Sequence, residues 1–448
     1  MLENNRSFFR RHIGNSAQEQ KKMLNELGYK DIKELISKTV PENIHFKDDL
    51  TIGEPNSEYE ALRKLKNISK QNKIYSNFLG MGYYGTYIPN VILRNILENP
   101  GWYTSYTPYQ PEVAQGRLEM LLNFQQMITD FTGMDIANAS LLDEGTAAAE
   151  AMGMSHRLNK KNSKIVFLSD NCHPQTIDVI KTRAEPIGLK IITGNNEKDL
   201  ENIAGDIVCG IIQYPGSLGE IKDPSEMISK IHKKNGKAIL ICDLLSLALI
   251  KTPAELGADV AVGSSQRFGI PMGYGGPHAA FFATKDEFKR SIPGRIVGVS
   301  VDRHGNKAYR LALQTREQHI RRDKANSNIC TNQSLLALRS TIYMSLLGDS
   351  GLRKIAELCF SKAQYAANKI SEIDGFSILY NDYNFIKEFI VLTKFSTKKI
   401  ISEAQKEGIG LSSAGNNDDK LLIAVTEKRT KEEIDKLVDF LKRQSVDL

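Results

Sequence analysis

The sequence is poor in the features that mark membrane, disulfide-rich and metal-dependent proteins. No apolar run reaches the roughly 20 residues of a transmembrane helix, and the polar start "MLENNRSFFRRHIG" has no apolar centre of a signal peptide. The five cysteines are odd in number and without a CxxC pair, so reduced thiols are expected. The histidines show neither HxxxH nor HExxH spacing, so no metal site is expected. These absences predict a soluble cytoplasmic protein.

A strong excess of charge of one sign is also missing. Lys and Arg number 59 against 53 Asp and Glu, which leaves a net charge of +6 over 448 residues. The lysines fall on predicted helix faces instead of forming a basic block, so nucleic acid is not an expected partner. At this length, with 41% hydrophobic residues, the chain has enough apolar material for a large core and more than one domain.

Three zones follow one another along the chain. Residues 1–72 are typical of helices separated by breakers. Residues 73–330 alternate short apolar strands with polar helical stretches, which predicts a mostly parallel sheet covered by helices on both faces. Residues 331–448 begin with a long helical stretch and continue as a small α+β domain. Capping boxes mark three helix starts, at Ser16 with Glu19, Ser57 with Glu60, and Thr430 with Glu433.

Long motifs strengthen this outline, which is that of the aspartate aminotransferase type (fold type I) of pyridoxal-phosphate (PLP)-dependent transferase. They are "RRHIG", "SYTPYQPEVAQGRLEMLLNFQQMITDFTGMDIANASLLDEGTAAAEAM", "VGSSQRFGIPMGYGGPHAAFFAT" and "QTREQHIRRDKANSNICTNQSLLAL". With them the chain resembles the glycine cleavage system P-protein family, over nearly its whole length and in order. The resemblance is to the N-terminal half, which some members carry as a separate chain called subunit 1, or alpha.

The loop "GSSQRFGIPMGYGGPH" (263–278) lacks the residue that PLP chemistry needs most, a lysine that carries the cofactor as a Schiff base. Aligned on Phe268 and Pro271 with the PLP-binding half of the family, Gln266 stands at the lysine position. An amide does not form an imine, and the guanidinium of Arg267 stays protonated. We therefore predict that this chain binds no PLP covalently.

Two further positions of the implied cofactor site are less decisive. Asp243 ends the strand "KAILICDL", where this fold places the carboxylate that faces the pyridine nitrogen; a turn or N-cap aspartate is the alternative. His173 follows another strand, where the PLP-binding members stack a ring on the cofactor. Without a cofactor, a structural role is the preferred interpretation of His173.

The expected phosphate site is unfavourable for an anion. "NASLLDEGTAAAEA" reads as a loop that enters a helix near Thr146, and Ser140 and Thr146 offer hydroxyl groups to a phosphate. Asp143 and Glu144, however, place two carboxylates in the same loop or first turn. At an effective dielectric of about 20, like charges roughly 4 Å apart cost on the order of 4 kcal/mol per pair. We expect the cofactor site of this chain to be degenerate.

Two segments are candidates for completing a site on a partner. The first is "SYTPYQPE", whose prolines stiffen a loop that presents Tyr106, Tyr109, Gln110 and Glu112. The second is "QHIRRDKANSNICTNQ", which combines a basic cluster with a predicted helix start and presents Arg321, Asn328 and Thr331. Packing of the tyrosines in an interface and a solvated basic face are the alternatives. "GMGYYGTYIP" (80–89) is either a mobile loop over the site or a plain turn.

The resemblance implies both a partner and a reaction. Subunit 2, or beta, would carry the lysine and the PLP in an assembly of two alpha and two beta chains. Together they would act as an oxidoreductase, a glycine dehydrogenase that decarboxylates glycine and passes the aminomethyl group to the lipoyl arm of the H-protein, a disulfide acceptor. The alternatives are a pseudoenzyme subunit that only stabilises the beta chain, and a self-sufficient PLP aminotransferase or decarboxylase.

Overall fold

The chain folds into two compact units, residues 1–74 and residues 75–448. The computed structural model describes residue 12 and the ranges 14–48, 50–53, 56–103, 107–313, 320, 322–325, 333–380, 384–415 and 418–447. The predicted domain boundaries near residues 72 and 330 stay predictions. No helix among these residues is long and apolar enough to cross a membrane.

The first unit consists of short helices with little core of their own. They are α1 (Ala17–Glu26), α2 (Ile32–Thr39) and α3 (Glu58–Ser69). The capping boxes predicted at the starts of α1 and α3 are confirmed, with both reciprocal hydrogen bonds formed. Leu24 is the only buried residue in the described part of this unit, whereas Leu62 and Leu65 of α3 are exposed. Tertiary packing inside the unit is therefore slight.

The second unit contains all of the strands that the structure describes. They are β1 (Ser76–Asn77), β2 (Ile136–Ala137), β3 (Ile165–Ser169), β4 (Lys190–Gly194), β5 (Cys209–Tyr214), β6 (Lys237–Cys242), β7 (Val260–Ser264), β8 (Ala280–Thr284), β9 (Ile296–Val301), β10 (Lys307–Ala312), β11 (Phe376–Ile378), β12 (Glu388–Thr393), β13 (Ile409–Gly410), β14 (Ser412–Ser413) and β15 (Lys420–Ala424). Its helices are α4 (Pro100–Tyr103), α5 (Gln115–Thr132), α6 (Glu144–Leu158), α7 (Pro174–Ala184), α8 (Glu197–Glu201), α9 (Ser225–Lys233), α10 (Ser334–Ser371), α11 (Thr397–Lys406) and α12 (Lys431–Asp447).

A seven-stranded sheet with the order β2–β8–β7–β6–β5–β3–β4 forms the centre of this unit. The pairs from β7 through β6, β5 and β3 to β4 are parallel, and β8 runs antiparallel to both β7 and β2. The fully buried strands β5, β6 and β7 have the continuous apolar sequences expected of a sheet covered on both faces. The predicted mostly parallel α/β architecture is confirmed.

Helices cover both faces of this sheet. On one face α6 and α7 pack through a cluster rich in alanine and isoleucine. On the other face α5, α9 and the start of α10 pack through larger leucine and phenylalanine side chains. This arrangement leaves the carboxyl ends of the parallel strands as the edge where polar side chains converge.

The C-terminal part is a second, antiparallel sheet in the order β11–β12–β15–β14. Its apolar face packs against α12 and the second half of α10, around Phe389 and Phe440. The backbone of α10 breaks at Gly348, which has a φ of 65°. Thr430 and Glu433 form the predicted capping box before α12.

The hairpin of β9 and β10 was not predicted. These strands pair antiparallel over six residues each, but they are only partly buried. Val299 and Val301 point to the surface and are more than half exposed, so the sequence lacks the strong apolar pattern on which strand prediction depends.

Candidate functional site

A small polar cavity lies at the carboxyl ends of β5, β6 and β7. Its volume is about 30 Å³, room for little more than a water molecule. Three predicted site residues, His173, Asp243 and Gln266, line it. The rest of the lining comes from the ends of β5, β6 and β7 with the loops that follow them, the segment 80–87, the start of α6 and the residues that enter β12. The strands, the helix and the C-terminal sheet therefore meet at one point.

Gln266, at the position predicted for a cofactor lysine, is buried and fully hydrogen-bonded. Its Oε1 accepts from the backbone N–H of Tyr84 at 3.1 Å. Its Nε2 donates to the carbonyl oxygens of Tyr84 at 2.8 Å and Ile270 at 2.7 Å. The amide thus ties the segment 80–87 to the loop after β7.

The segment 80–89 is anchored at several further points. The backbone N–H of Met81 donates to Glu388 Oε1 at 2.5 Å, and the hydroxyl of Thr86 donates to the carbonyl of Arg267 at 3.1 Å. Gly82, with a φ of 91°, lies against the ring of His173, where an added Cβ would stand 3.0 Å from the ring carbon Cδ2. Of the two predicted alternatives, mobile loop or plain turn, these contacts favour a fixed turn that covers the cavity.

Of the two roles weighed for Asp243 from the sequence, its contacts here are those of a turn aspartate. Its carboxylate accepts hydrogen bonds from the backbone N–H and the hydroxyl of Ser246, the first at 3.1 Å, at the start of a short 3₁₀ turn. The same carboxylate forms an ion pair with the ammonium of Lys387. Burial alone would raise the pKa of Asp243, but Lys387 and these hydrogen bonds outweigh it and leave the pKa lowered. Asp243 is therefore ionised and neutralised inside the chain.

The other two acids of the cavity, Glu144 and Glu388, have pKa values that are raised toward neutral pH. Burial, with the nearby charge of Asp243, raises the pKa of Glu144 to about 8. Burial also raises the pKa of Glu388 to about 7, although Glu388 Oε2 accepts a hydrogen bond from the hydroxyl of Tyr84 at 2.6 Å. Burial and Lys387 lower the pKa of His173 to about 4, so its imidazole is neutral at physiological pH.

The N-terminus of α6 is occupied by its own cap. The helix begins at Glu144, two residues before the predicted start, because Asp143 Oδ1 accepts a hydrogen bond from the backbone N–H of Thr146 at 2.8 Å. Ser140 is buried and Thr146 is half-buried, and neither lines the cavity. The group that would bind a phosphate is thus already bonded to a carboxylate.

The candidates for a partner's site lie apart from this cavity. Tyr109 is 53% exposed, and its hydroxyl accepts a hydrogen bond from Arg295 Nη2 at 2.6 Å, with the guanidinium 4.8 Å from the ring centroid. Gln110 and Glu112 are exposed beside it. The remaining candidates lie outside the described residues; they are Tyr106, Arg321, Asn328 and Thr331.

Sequence reasoning missed Lys387 and Glu388, which line the cavity, and Glu427, which pairs with the lining residue Arg267. Glu427 binds Arg267 Nη2 at 2.5 Å, and both side chains are more than 90% buried. One signal was available: Lys387 and Glu388 stand directly before the apolar run "FIVLT" of a buried strand, and buried charges there need partners. Nothing in the sequence pattern says that those partners are Asp243 and Tyr84.

The cavity does not fit PLP. Pockets for small ligands and cofactors usually measure roughly 300 to 1,000 Å³, an order of magnitude above the volume here. Gln266 stands at the position predicted for the lysine, Lys387 covers the carboxylate of Asp243, and Asp143 occupies the helix N-terminus. The described residues therefore give neither a covalent anchor, nor a free partner for the pyridine nitrogen, nor an anion site.

The architecture is nevertheless that of fold type I of the PLP-dependent enzymes. The fold is shared with a sphingosine-1-phosphate lyase of Burkholderia pseudomallei K96243, with a TM-score of 0.64, 13% identity, and coverage of 91% of this chain and 93% of the other. It is also shared with a C-DES mutant that has glycine covalently linked to its PLP cofactor, with a TM-score of 0.61, 12% identity, and coverage of 84% and 97%. At such identities the likeness shows the fold alone.

The chain belongs to the glycine cleavage system P-protein family, which matches residues 10–441. It is 67% identical over 430 residues to a glycine dehydrogenase (decarboxylating) of Pelagibacter ubique (strain HTCC1062), which covers 96% of this chain and 44% of that protein. A crystal structure of glycine decarboxylase (P-protein) of the glycine cleavage system, in inhibitor-bound form, superposes with a TM-score of 0.86 at 31% identity and covers 96% of this chain and 99% of the other. The chain spans about half the length of the curated relatives that it matches.

Proposed function

We propose that this chain is the alpha half of a P-protein, which carries no PLP itself and completes the active site of a complementary beta half that does. Paired as two alpha and two beta chains, the halves decarboxylate glycine and transfer the aminomethyl group to the lipoyl arm of the H-protein. The names of the relatives support the assignment to a P-protein.

One observation is the main support for the proposed division of roles between the alpha and beta halves. Gln266 stands at the position predicted for the cofactor lysine. Its amide makes three hydrogen bonds, and all three are to the backbone of the same chain. A site that has been filled in this way does not load a cofactor. A chain of this family without a loaded site acts through its complementary half.

Tyr109 and its neighbours are the residues that we propose this chain contributes to the shared site. Arg295 holds the phenol of Tyr109 by a hydrogen bond at 2.6 Å and by contact with the ring face. A buried arginine restrains an exposed ring in this arrangement, which suits a side chain presented to a substrate carboxylate or to the cofactor across an interface.

Reconstitution tests the proposal. The 448-residue chain is purified alone, then mixed in equimolar amount with a complementary PLP-bearing chain, and glycine-dependent exchange of labelled CO₂ is measured. We expect no visible PLP absorbance and no exchange from this chain alone, and exchange from the mixture. A reduced PLP–lysine adduct mapped to this chain, or exchange without the complementary half, would overturn the proposal.

A tyrosine variant in the same assay separates a shared site from a purely stabilising subunit. Tyr109→Phe removes the hydroxyl that Arg295 binds. Loss of one charge-assisted hydrogen bond, about 1.5 kcal/mol or more, should lower exchange roughly ten-fold while the complex still forms by gel filtration. Tyr59→Phe, at another exposed tyrosine, is the matched control. Unchanged exchange in Tyr109→Phe would favour the pseudoenzyme alternative.

A further inference from the structure

The cavity contains an internal ammonium group, that of Lys387. The Lys387 side chain is 4% exposed, and its Nζ forms an ion pair with Asp243 Oδ2. The same Nζ lies 4.5 Å from the ring centroid of Tyr84. A carboxylate on one side and an aromatic face on the other are the two groups that bind a desolvated ammonium best.

The ionised carboxylate of Asp243 needs a cation beside it. The lining residues include three acids, Glu144, Asp243 and Glu388, and burial raises the pKa of Glu144 and Glu388. They also include two basic side chains, Lys387 and Arg267. Arg267 is already paired with Glu427 at 2.5 Å. Without Lys387 the ionised Asp243 would stay buried with no cation of its own, which is strongly unfavourable.

The surrounding backbone fixes both partners of the ion pair. Asp243 follows directly after β6 and is held by the hydrogen bonds from Ser246. Lys387 lies directly before β12, and the neighbouring Glu388 is held by Tyr84 and Met81. The carbonyl of Glu388 also lies so close to Gly219, which has a φ of 84°, that an added Cβ would stand 1.9 Å from it.

From these contacts we infer that Asp243 and Tyr84 form a binding site for a primary alkylammonium group, and that Lys387 of the same chain occupies it. The occupied site joins the C-terminal sheet to the carboxyl ends of the parallel sheet. The ammonium thereby closes the cavity and holds the C-terminal sheet in one position.

Chemical rescue tests this site without any partner chain, so its outcome is independent of the proposed function. Lys387→Ala removes the atoms from Cγ to Nζ, which propylammonium replaces. We expect the variant, made in the full 448-residue chain, to unfold roughly 3 to 5 °C below the wild type. Propylammonium chloride should recover at least half of this loss in a saturable manner, whereas 1-propanol and an equal ionic strength of sodium chloride should not.

Lys362→Ala is the matched control. Lys362 donates to the carbonyl oxygens of Glu427 and Arg429, at 2.8 and 2.5 Å, and forms no ion pair with a carboxylate in the described residues. Propylammonium should therefore not rescue it selectively. Equal effects of propylammonium and sodium chloride on Lys387→Ala would overturn the inference.

A second pair of variants tests the same site if Lys387→Ala does not fold. Lys387→Met keeps the volume and removes the charge, and adding Asp243→Asn removes the carboxylate left behind. We expect the double variant to unfold at a higher temperature than Lys387→Met alone, because it no longer buries an unpaired charge. If Lys387→Met is as stable as the wild type, packing alone explains the residue and the ammonium site is refuted.

Discussion

At the scale of single residues, Gln266 shows how a buried polar side chain is satisfied inside the chain. Gln266 keeps the length of an extended polar side chain, but each of its amide atoms finds a backbone partner within 3.1 Å. These bonds satisfy buried polar groups of the side chain and of the backbone of Tyr84 and Ile270.

Glu144 gives a prediction on the pH dependence of stability. Its folded pKa of about 8 lies above the ordinary value of 4.5, so the folded state binds the extra proton. Stability is then fully present below pH 4.5 and declines as the pH rises to about 8. Glu388, with a pKa of about 7, contributes in the same direction only up to about pH 7. Of these two residues, Glu144 therefore accounts for most of the decline in stability between pH 7 and 8.

Glu144→Gln should remove this decline. Between pH 7 and 8 the free energy of unfolding of the wild type should fall by about 1 kcal/mol, while that of the variant stays nearly flat. Urea unfolding of both proteins at pH 6, 7 and 8 provides the measurement. Parallel slopes in the two proteins would mean that Glu144 ionises normally in the folded chain.

At the scale of elements, the N-terminus of α6 is already hydrogen-bonded to a side chain of the same protein, so it is less available to a ligand. Asp143 accepts from the backbone of Thr146, and the helix behind it is packed through a row of buried alanines, Ala147, Ala148, Ala149 and Ala151. The close packing leaves the helix start no room to move away from its cap. A free anion would have to displace a carboxylate that the chain itself supplies at high local concentration.

Replacing Asp143 tests this cap. Asp143→Ala should lower the free energy of unfolding by about 1 kcal/mol, the usual value for a lost N-cap side chain. Asp143→Asn keeps an acceptor oxygen in place and should lose much less, which distinguishes capping from charge. Denaturant unfolding of the three proteins at one pH decides between them. Equal losses in both variants would attribute the effect to the charge near Glu144 instead.

Elements were also what the sequence predicted best. The five parallel strands β3 to β7 follow local apolar runs, and the three capping boxes follow short S/T-x-x-E patterns. The contacts of Lys387 and Glu427 could not be predicted, because they join β12 and the loop after β15 to residues far earlier in the chain. Position in sequence identified Gln266 and Asp243 as site residues, but only the fold identifies their partners.

At the scale of the whole molecule, three parts of the chain that are distant in sequence close the cavity together. The segment 80–87 covers it, α6 and its cap bring Glu144 and Asp143, and the C-terminal sheet brings Lys387 and Glu388. The closure therefore does not depend on residue 266 alone. We expect that a lysine at this position would not by itself create a cofactor site.

Gln266→Lys tests this expectation directly. The new lysine would enter a cavity of about 30 Å³, far below the roughly 300 Å³ of the smallest usual ligand pockets, and would break the hydrogen bonds to Tyr84. After incubation with PLP and reduction with borohydride, peptide mass spectrometry should find no adduct at residue 266. Exposed lysines, labelled alike in variant and wild type, verify that the reagent reacted. A stoichiometric adduct at residue 266 would show instead that the surrounding residues still accept the cofactor and that the substitution at this position alone had excluded it.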